Sequence, residues 1–253
     1  MAGGPRNRHK VYSKEMAEFD SKHGGAPEPA SVHELIQRYQ RFRQEDYPAR
    51  KAAFDALAEQ QSPRVLFITC SDSRIAPDVL FQSEPGDLFV CRNVGNIVPS
   101  YGEALGGVSA AIEYAVVVLA VEAIIVCGHS SCGAMRALLD PEKFEHLRAV
   151  SPWLRHAEVA LTVTRENYPG LTESELLTRL TEENVAAQIE HLETHPCVAS
   201  RLRGGQLQIY GLVFEIPTGE IRVLDAGQGR FVPAQNPLPP ATLRPRLFAK
   251  SST

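Results

Sequence analysis

The spacing of hydrophobic positions changes several times along the chain, and each change predicts an element. Val32, Leu35, Ile36, Tyr39 and Phe42 recur at the period of one helical face, and Ser31 with Glu34 forms a capping-box signature ahead of them. This predicts an amphipathic helix that needs a partner surface, and Pro48 to Gln61 reads as a second, Ala-rich helix. Beyond Arg64 the apolar runs become short and β-branched. Val65 to Thr69, Leu88 to Val90 and Ala123 to Cys127 read as buried strands, with a helical stretch from Glu103 to Ala120 between the second and third. Thr172 with Glu175 is a second capping box, opening a long polar helix towards His195 before Pro196. Gln206 to Ile216 then alternates as a strand, Pro217-Thr218-Gly219 supplies a turn, and Glu220 to Leu224 returns as a hairpin. Strands alternating with helices predict an α/β fold: a central, mainly parallel β-sheet covered by helices, with an N-terminal helical arm and a C-terminal hairpin.

The same patterning divides the chain. Residues 1–30 are rich in Gly, Pro and charge without sustained periodicity and read as a flexible arm, residues 31–225 as the α/β body with its N-terminal helices, and residues 226–253 as a Pro-rich tail. A 253-residue chain with 43% hydrophobic residues has ample core for that body. The net charge of -4 gives no electrostatic reason to expect nucleic acid or an anionic membrane as partner. The apolar run Ala115 to Val121, bracketed by Glu113 and Glu122, is too short to span a bilayer. The N-terminus has no apolar signal core and carries Glu15, Glu18 and Asp20, so the expected location is cytoplasmic. Cys70, Cys91, Cys127, Cys132 and Cys197 make an odd number, which favours thiols or metal ligands over disulfides.

Cys70 closes the first buried strand and is followed by Ser71, Asp72, Ser73 and Arg74; His129 and Cys132 follow the third. Carboxyl ends of neighbouring parallel strands open on one crevice, so these three ligands are expected to meet there. Two thiolates and an imidazole suit zinc, and a three-ligand site leaves a fourth position for water or substrate. Asp72 and Arg74 have the right chemistry for a bidentate pair, in which Arg74 keeps Asp72 off the open metal position. Cys127 lies in an apolar run and reads as core, while Cys91 and Cys197 read as ordinary thiols. Ser130 sits in Gly-His-Ser-Ser-Cys-Gly, which misses the last glycine of a Gly-x-Ser-x-Gly nucleophile elbow, and Gly102 to Gly107 precedes no phosphate-loop lysine.

At these residues the sequence resembles the β class of carbonic anhydrases, through Cys-Ser-Asp-Ser-Arg at 70–74 and His-x-x-Cys at 129–132. The likeness continues through Glu84-Pro85-Gly86-Asp87, Arg92-Asn93, Asn96, Pro99, Ala111-Ile112-Glu113-Tyr114 and Gly128-His129-Ser130, and leans to the cyanobacterial and plant-related branch. The resemblance implies reversible hydration of carbon dioxide to bicarbonate. One zinc ion per chain would be held by Cys70, His129 and Cys132, with Asp72 and Arg74 as the catalytic dyad and Asp72 as the fourth ligand of a closed state. It also implies self-association as a dimer or larger, with the helical arm packing on a neighbour. Where plant relatives have a substrate-facing Gln this chain has Glu84, and where some bacterial relatives have a regulatory Trp it has Phe67; neither role is carried over. Two other readings stay open: hydrolysis of carbon disulfide or carbonyl sulfide at the same site, and an assembly protein, such as one of the carboxysome, that keeps zinc for folding.

Overall fold

A computed structural model describes residues 29–235 and 237–239. The arm expected over 1–30 lies, except for its last two residues, outside the described residues, as does the chain beyond 239. The chain divides after Asp55 into two units.

In the first unit, Ser31 caps α1 (Val32–Arg41) in the expected box: its hydroxyl accepts from the Glu34 N–H while the Glu34 carboxylate accepts from the Ser31 N–H. A π-helical turn, Phe42–Asp46, runs on directly into α2 (Tyr47–Leu57), so the two expected helices follow one another without a loop. Phe42, Tyr47 and Phe54 cluster around that turn with ring centroids 5.3–6.2 Å apart. The apolar face of α1, Val32, Leu35, Ile36 and Tyr39, is exposed.

The second unit is built on a six-stranded sheet in the order β2-β1-β3-β4-β5-β6. The strands are β1 (Val65–Cys70), β2 (Leu88–Asn93), β3 (Ala123–His129), β4 (Gln208–Glu215), β5 (Glu220–Asp225) and β6 (Arg230–Pro233). The first four run parallel and the last two antiparallel, which bears out the mainly parallel sheet and the β4–β5 hairpin. β1 alternates between the faces: Leu66 and Ile68 join one apolar cluster and Phe67 the other, so both faces of the sheet are dry.

Between β1 and β2 lies α3 (Pro77–Leu80), and α4 (Gly107–Glu113) with a π turn (Tyr114–Val118) precedes β3. The helix expected from Glu103 begins at Gly107, because Gly102 at φ +96° and Gly106 as extended N-cap keep the intervening residues in a turn. After β3 come α5 (Gly133–Leu139), α6 (Val150–Leu154), α7 (Glu158–Asn167), α8 (Glu173–Thr194) and α9 (Pro196–Arg203). α8 is the long polar helix, capped by Thr172 and Glu175 as expected. It lies so close to β3 that a Cβ on Gly128 would come within 2.9 Å of Val185 and 3.3 Å of Thr181, so only glycine fits. The sheet also extends further than its sequence signal. β6 falls in the stretch read as tail, with Phe231 and Val232 packed against opposite clusters and Pro233 closing the edge strand, where no ladder donor is required.

Candidate metal centre

The parallel ladder puts the candidate residues at one end of the sheet. β1 and β3 are in register through Thr69 and Cys127, so Cys70 and His129 emerge from neighbouring strands at their carboxyl ends. The chain then turns through Ser131, held at φ +55°, and Cys132 becomes the N-cap of α5. A non-glycine residue in that region is strained, and it sits between two candidate ligands. The donor atoms of Cys70, His129 and Cys132 all lie within 4.8 Å of one another. All three are buried, with relative exposures of 5%, 0% and 1%.

The imidazole identifies what the cluster can accept. His129 Nδ1 lies 3.0 Å from the Ser130 carbonyl, which fixes the proton on Nδ1 and leaves Nε2 as a lone pair. That Nε2 is buried and has no hydrogen-bond partner among the described residues. A buried acceptor without a donor costs about 1–3 kcal/mol, and a cation at the cluster removes that cost. Two sulfurs and a nitrogen, with a backbone carbonyl behind the imidazole, are a donor set that fits zinc. The two sulfurs lie 4.0 Å apart, close enough for one thiol to donate to the other. Cys70 is pulled down to about 4, first by its bond with Cys132 and further by the backbone N–H groups of Gly95 and Asp72, against its burial. Cys132 is pushed well above the ordinary thiol value by the same pairing and by burial.

Asp72 stands at the rim. Arg74 binds it in fork geometry, Nε to Oδ1 at 2.9 Å and a second nitrogen to Oδ2 at 2.7 Å, while the Arg74 backbone N–H adds a bond of 3.0 Å to Oδ1. The Ser131 carbonyl accepts from the same guanidinium at 3.0 Å, tying Arg74 to the strained turn. The guanidinium beside Asp72 holds its carboxyl down at about 2. Asp72 Oδ2 is 3.7 Å from the bare Nε2 of His129. The Asp72–Arg74 pair expected from the sequence is therefore present as a contact, and the carboxylate faces the cluster while bound to the arginine.

Three contributors had been given no role from the sequence, although Arg92 was among the residues that carry the resemblance. Arg92, across the β1–β2 ladder from Thr69, donates to the carbonyls of Cys70, Asp72 and Ile75 at 3.1, 2.8 and 2.7 Å and so fixes the whole 70–75 loop. The signal available was a charged residue near the carboxyl end of a buried strand. The Gly95 N–H donates to Cys70 Sγ at 3.3 Å, and the Ser131 carbonyl holds Arg74; both are backbone groups, which a sequence pattern does not display. Cys127, one register step below Cys70, is fully buried, its thiol raised by burial to about 12 and bonded to the Gly128 carbonyl, as expected of a core cysteine. Cys91 and Cys197 are partly buried free thiols.

A mainly parallel α/β sheet with two cysteines and a histidine at its carboxyl edge, beside an arginine-held aspartate, puts the chain in the class of α/β proteins whose buried donor set is able to hold a soft metal ion. Comparison with known proteins narrows that class. The family model described as carbonic anhydrase matches residues 65–221, more than half of the chain. A carbonic anhydrase of Pseudomonas aeruginosa is 48% identical over 201 residues, covering 79% of this chain and 91% of the relative. Carbonic anhydrase 1 of Escherichia coli O157:H7 is 48% identical over 207 residues, covering 81% and 94%. Among solved structures, the β-carbonic anhydrase CcaA superposes with a TM-score of 0.81 at 42% identity, over 83% of this chain and 94% of that one. The chain belongs to the carbonic anhydrase family, in its β class, and is an enzyme of that kind.

Proposed function

We propose that the enzyme hydrates carbon dioxide reversibly to bicarbonate and a proton, with one zinc ion per chain held by Cys70, His129 and Cys132. The observation that carries this reading is the unpartnered Nε2 of buried His129, grouped with two cysteine sulfurs and 3.7 Å from a carboxylate oxygen of Asp72. A zinc ion there supplies the Lewis acidity that makes water nucleophilic at neutral pH. Asp72, kept ionised at neutral pH because the Arg74 guanidinium holds its carboxyl down at about 2, would accept a hydrogen bond from the attacking water and so aim a lone pair of that water at carbon dioxide. Arg74 keeps both carboxylate oxygens engaged, so that Asp72 orients the nucleophile instead of occupying its place.

Self-association and a cytoplasmic location complete the proposal. Several large apolar side chains are exposed on and around β2 and the segment before β3, among them Val90, Leu105, Val117 and Val118, and their cover by a second copy would remove that surface from water. A β-carbonic anhydrase of Sordaria macrospora, 30% identical with a TM-score of 0.68, is described as tetrameric. All five cysteines are free, in keeping with a reducing compartment, and among the described residues no helix is long and apolar enough to cross a membrane.

The test is elemental analysis together with stopped-flow hydration on the wild type and on Asp72→Asn. The expected result is one zinc per chain in both and a loss of about 10²–10⁴-fold in hydration rate for the variant. Zinc-loaded wild type without hydration activity overturns the assigned reaction, and wild type that takes up no zinc overturns the assigned site.

A further inference from the structure

The Gly95 N–H donates to Cys70 Sγ at 3.3 Å, and its peptide unit is gripped from the far side. The carbonyl of that unit belongs to Val94 and accepts from the Trp153 indole N–H at 2.8 Å. In a planar trans peptide the C=O and N–H point in opposite directions, so Trp153 and Cys70 lie at the two ends of one polarised group. A donor on the carbonyl strengthens the N–H as a donor in turn. The next carbonyl along, that of Gly95, accepts from Asn184 Nδ2 at 3.0 Å, and Gln188 Nε2 donates to Asn184 Oδ1 at 3.0 Å and fixes the orientation of the Asn184 amide.

Asn184 and Gln188 begin a polar stripe on α8, continued by His191 and by His195 just past its last residue, that faces the 95–101 segment. Gln188 accepts from the Val98 N–H at 2.8 Å, His191 Nδ1 meets the Val98 carbonyl at 2.8 Å, and His195 Nε2 meets the Pro99 carbonyl at 3.1 Å. Asn184 and Gln188 are fully buried, a costly placement for two amides unless the loop they hold requires it. Gly95 itself sits at φ +84°, and a Cβ there would lie 3.0 Å from Ala134 and 3.3 Å from Met135, so nothing larger delivers this N–H.

We propose that Trp153 and Asn184 are positioning residues of the metal centre, aiming the Gly95 N–H at Cys70 Sγ and thereby setting how much charge that thiolate gives to the metal. The proposal rests on the reading of Cys70 as a zinc ligand. Two thiolates cancel the formal charge of a zinc ion, and an N–H bond to one of them withdraws part of that donation and leaves the metal a stronger Lewis acid. Of the backbone groups that bond Cys70, those of Gly95 and Asp72, the Gly95 peptide is the one whose carbonyl side is held by a side chain from outside the loop.

The experiment uses the full-length protein with cobalt in place of zinc, because the sulfur-to-cobalt charge-transfer band reads the thiolate directly. Trp153→Phe keeps a ring but removes the indole donor, Asn184→Leu removes the amide, and Thr181→Val is the control. Thr181 lies on the same buried stretch of α8, but its hydroxyl bonds only the Leu177 carbonyl of its own helix. Trp153→Phe and Asn184→Leu are expected to move the band to lower energy, because a thiolate freed from the N–H gives more charge to the metal, and to accelerate zinc release to a chelator by roughly tenfold, because the loosened 94–95 peptide no longer holds Cys70 in place, while Thr181→Val moves neither. Should Asn184→Leu fail to fold, Trp153→Phe decides alone. Unchanged bands and release rates in metal-loaded variants overturn the proposal while leaving the zinc site standing, and so does an equal shift in Thr181→Val. A wild type that binds neither cobalt nor zinc overturns the underlying site assignment, and the proposal with it.

Discussion

Cys70 and Cys127 occupy neighbouring parallel strands, one register step apart, and their chemistry has diverged completely. Cys127 pairs across the ladder with Thr69, whose hydroxyl donates to the Cys127 carbonyl, and its thiol is driven up to about 12 by burial. Cys70, a single residue further towards the strand end, is pulled down to about 4 although it too is buried. Burial alone raises both; partners make the difference. At the carboxyl edge the backbone stops pairing with itself, so the Gly95 N–H becomes free to face a sulfur and a second thiol can approach. A parallel sheet thus supplies a dry interior for inert side chains and, one residue on, an edge at which the same side chain becomes a ligand.

The same substitution at both positions gives the sharpest break in this comparison. Cys70→Ser is expected to abolish stoichiometric zinc and cut hydration by well over a hundredfold, since even residues that only support a ligand cost 10–100-fold. Cys127→Ser is expected to keep zinc and activity and to lose only about 1–2 kcal/mol of stability, the price of a buried hydroxyl. Elemental analysis, stopped-flow hydration and thermal unfolding read the three quantities, and zinc loss in both variants would erase the distinction between edge and interior.

Arg92 offers the next largest effect, because it organises the edge without touching the cluster. Replacing it by Leu leaves the carbonyls of Cys70, Asp72 and Ile75 without their charged donor and is expected to cost roughly 2–3 kcal/mol. Hydration is expected to fall about 10–100-fold as the 70–75 loop loosens. Arg92→Lys, with a point charge in place of a planar fork, is expected to fall between. Equal rates in wild type and Arg92→Leu, with zinc bound in both, would show that the loop holds itself.

These residues also mark how far the sequence could be read. The side chains that converge were legible because Cys70, Asp72, Arg74, His129 and Cys132 carry their chemistry in their identity and follow strands whose apolar runs are plain. What holds them was not. The Gly95 N–H and the Ser131 carbonyl belong to the backbone, and their roles depend on φ values of +84° and +55° that only the packed loops reveal. α8 read as a polar scaffold because Asn184, Gln188, His191 and His195 look like surface residues until the loop they grip is in place. β6 escaped because Pro233 and the prolines after it resemble a tail, whereas pairing with β5 makes Phe231 and Val232 part of the core margin.

The smallest effect comes from the far end of the α8 stripe and is a matter of pH. His195 is 2% exposed, meets the Pro99 carbonyl and packs edge-on against Tyr101 with ring centroids 5.6 Å apart; burial lowers its pKa below the usual 6.5. His191 beside it lowers it further, while the Pro99 carbonyl and Glu113 act in the opposite direction. In the window between the lowered folded value and 6.5 the unfolded chain binds the proton and the folded chain does not, so stability falls as pH drops below about 6.5 and is complete above it. His195→Gln can still donate to the Pro99 carbonyl but has no charge to acquire. The variant is expected to be slightly less stable than wild type at pH 8 and to lose less stability between pH 7 and 5.5. Denaturant midpoints at those pH values measure the slope, and parallel slopes in the two proteins would mean that His195 accepts its proton in place, and that this end of the segment yields where the Gly95 end is held.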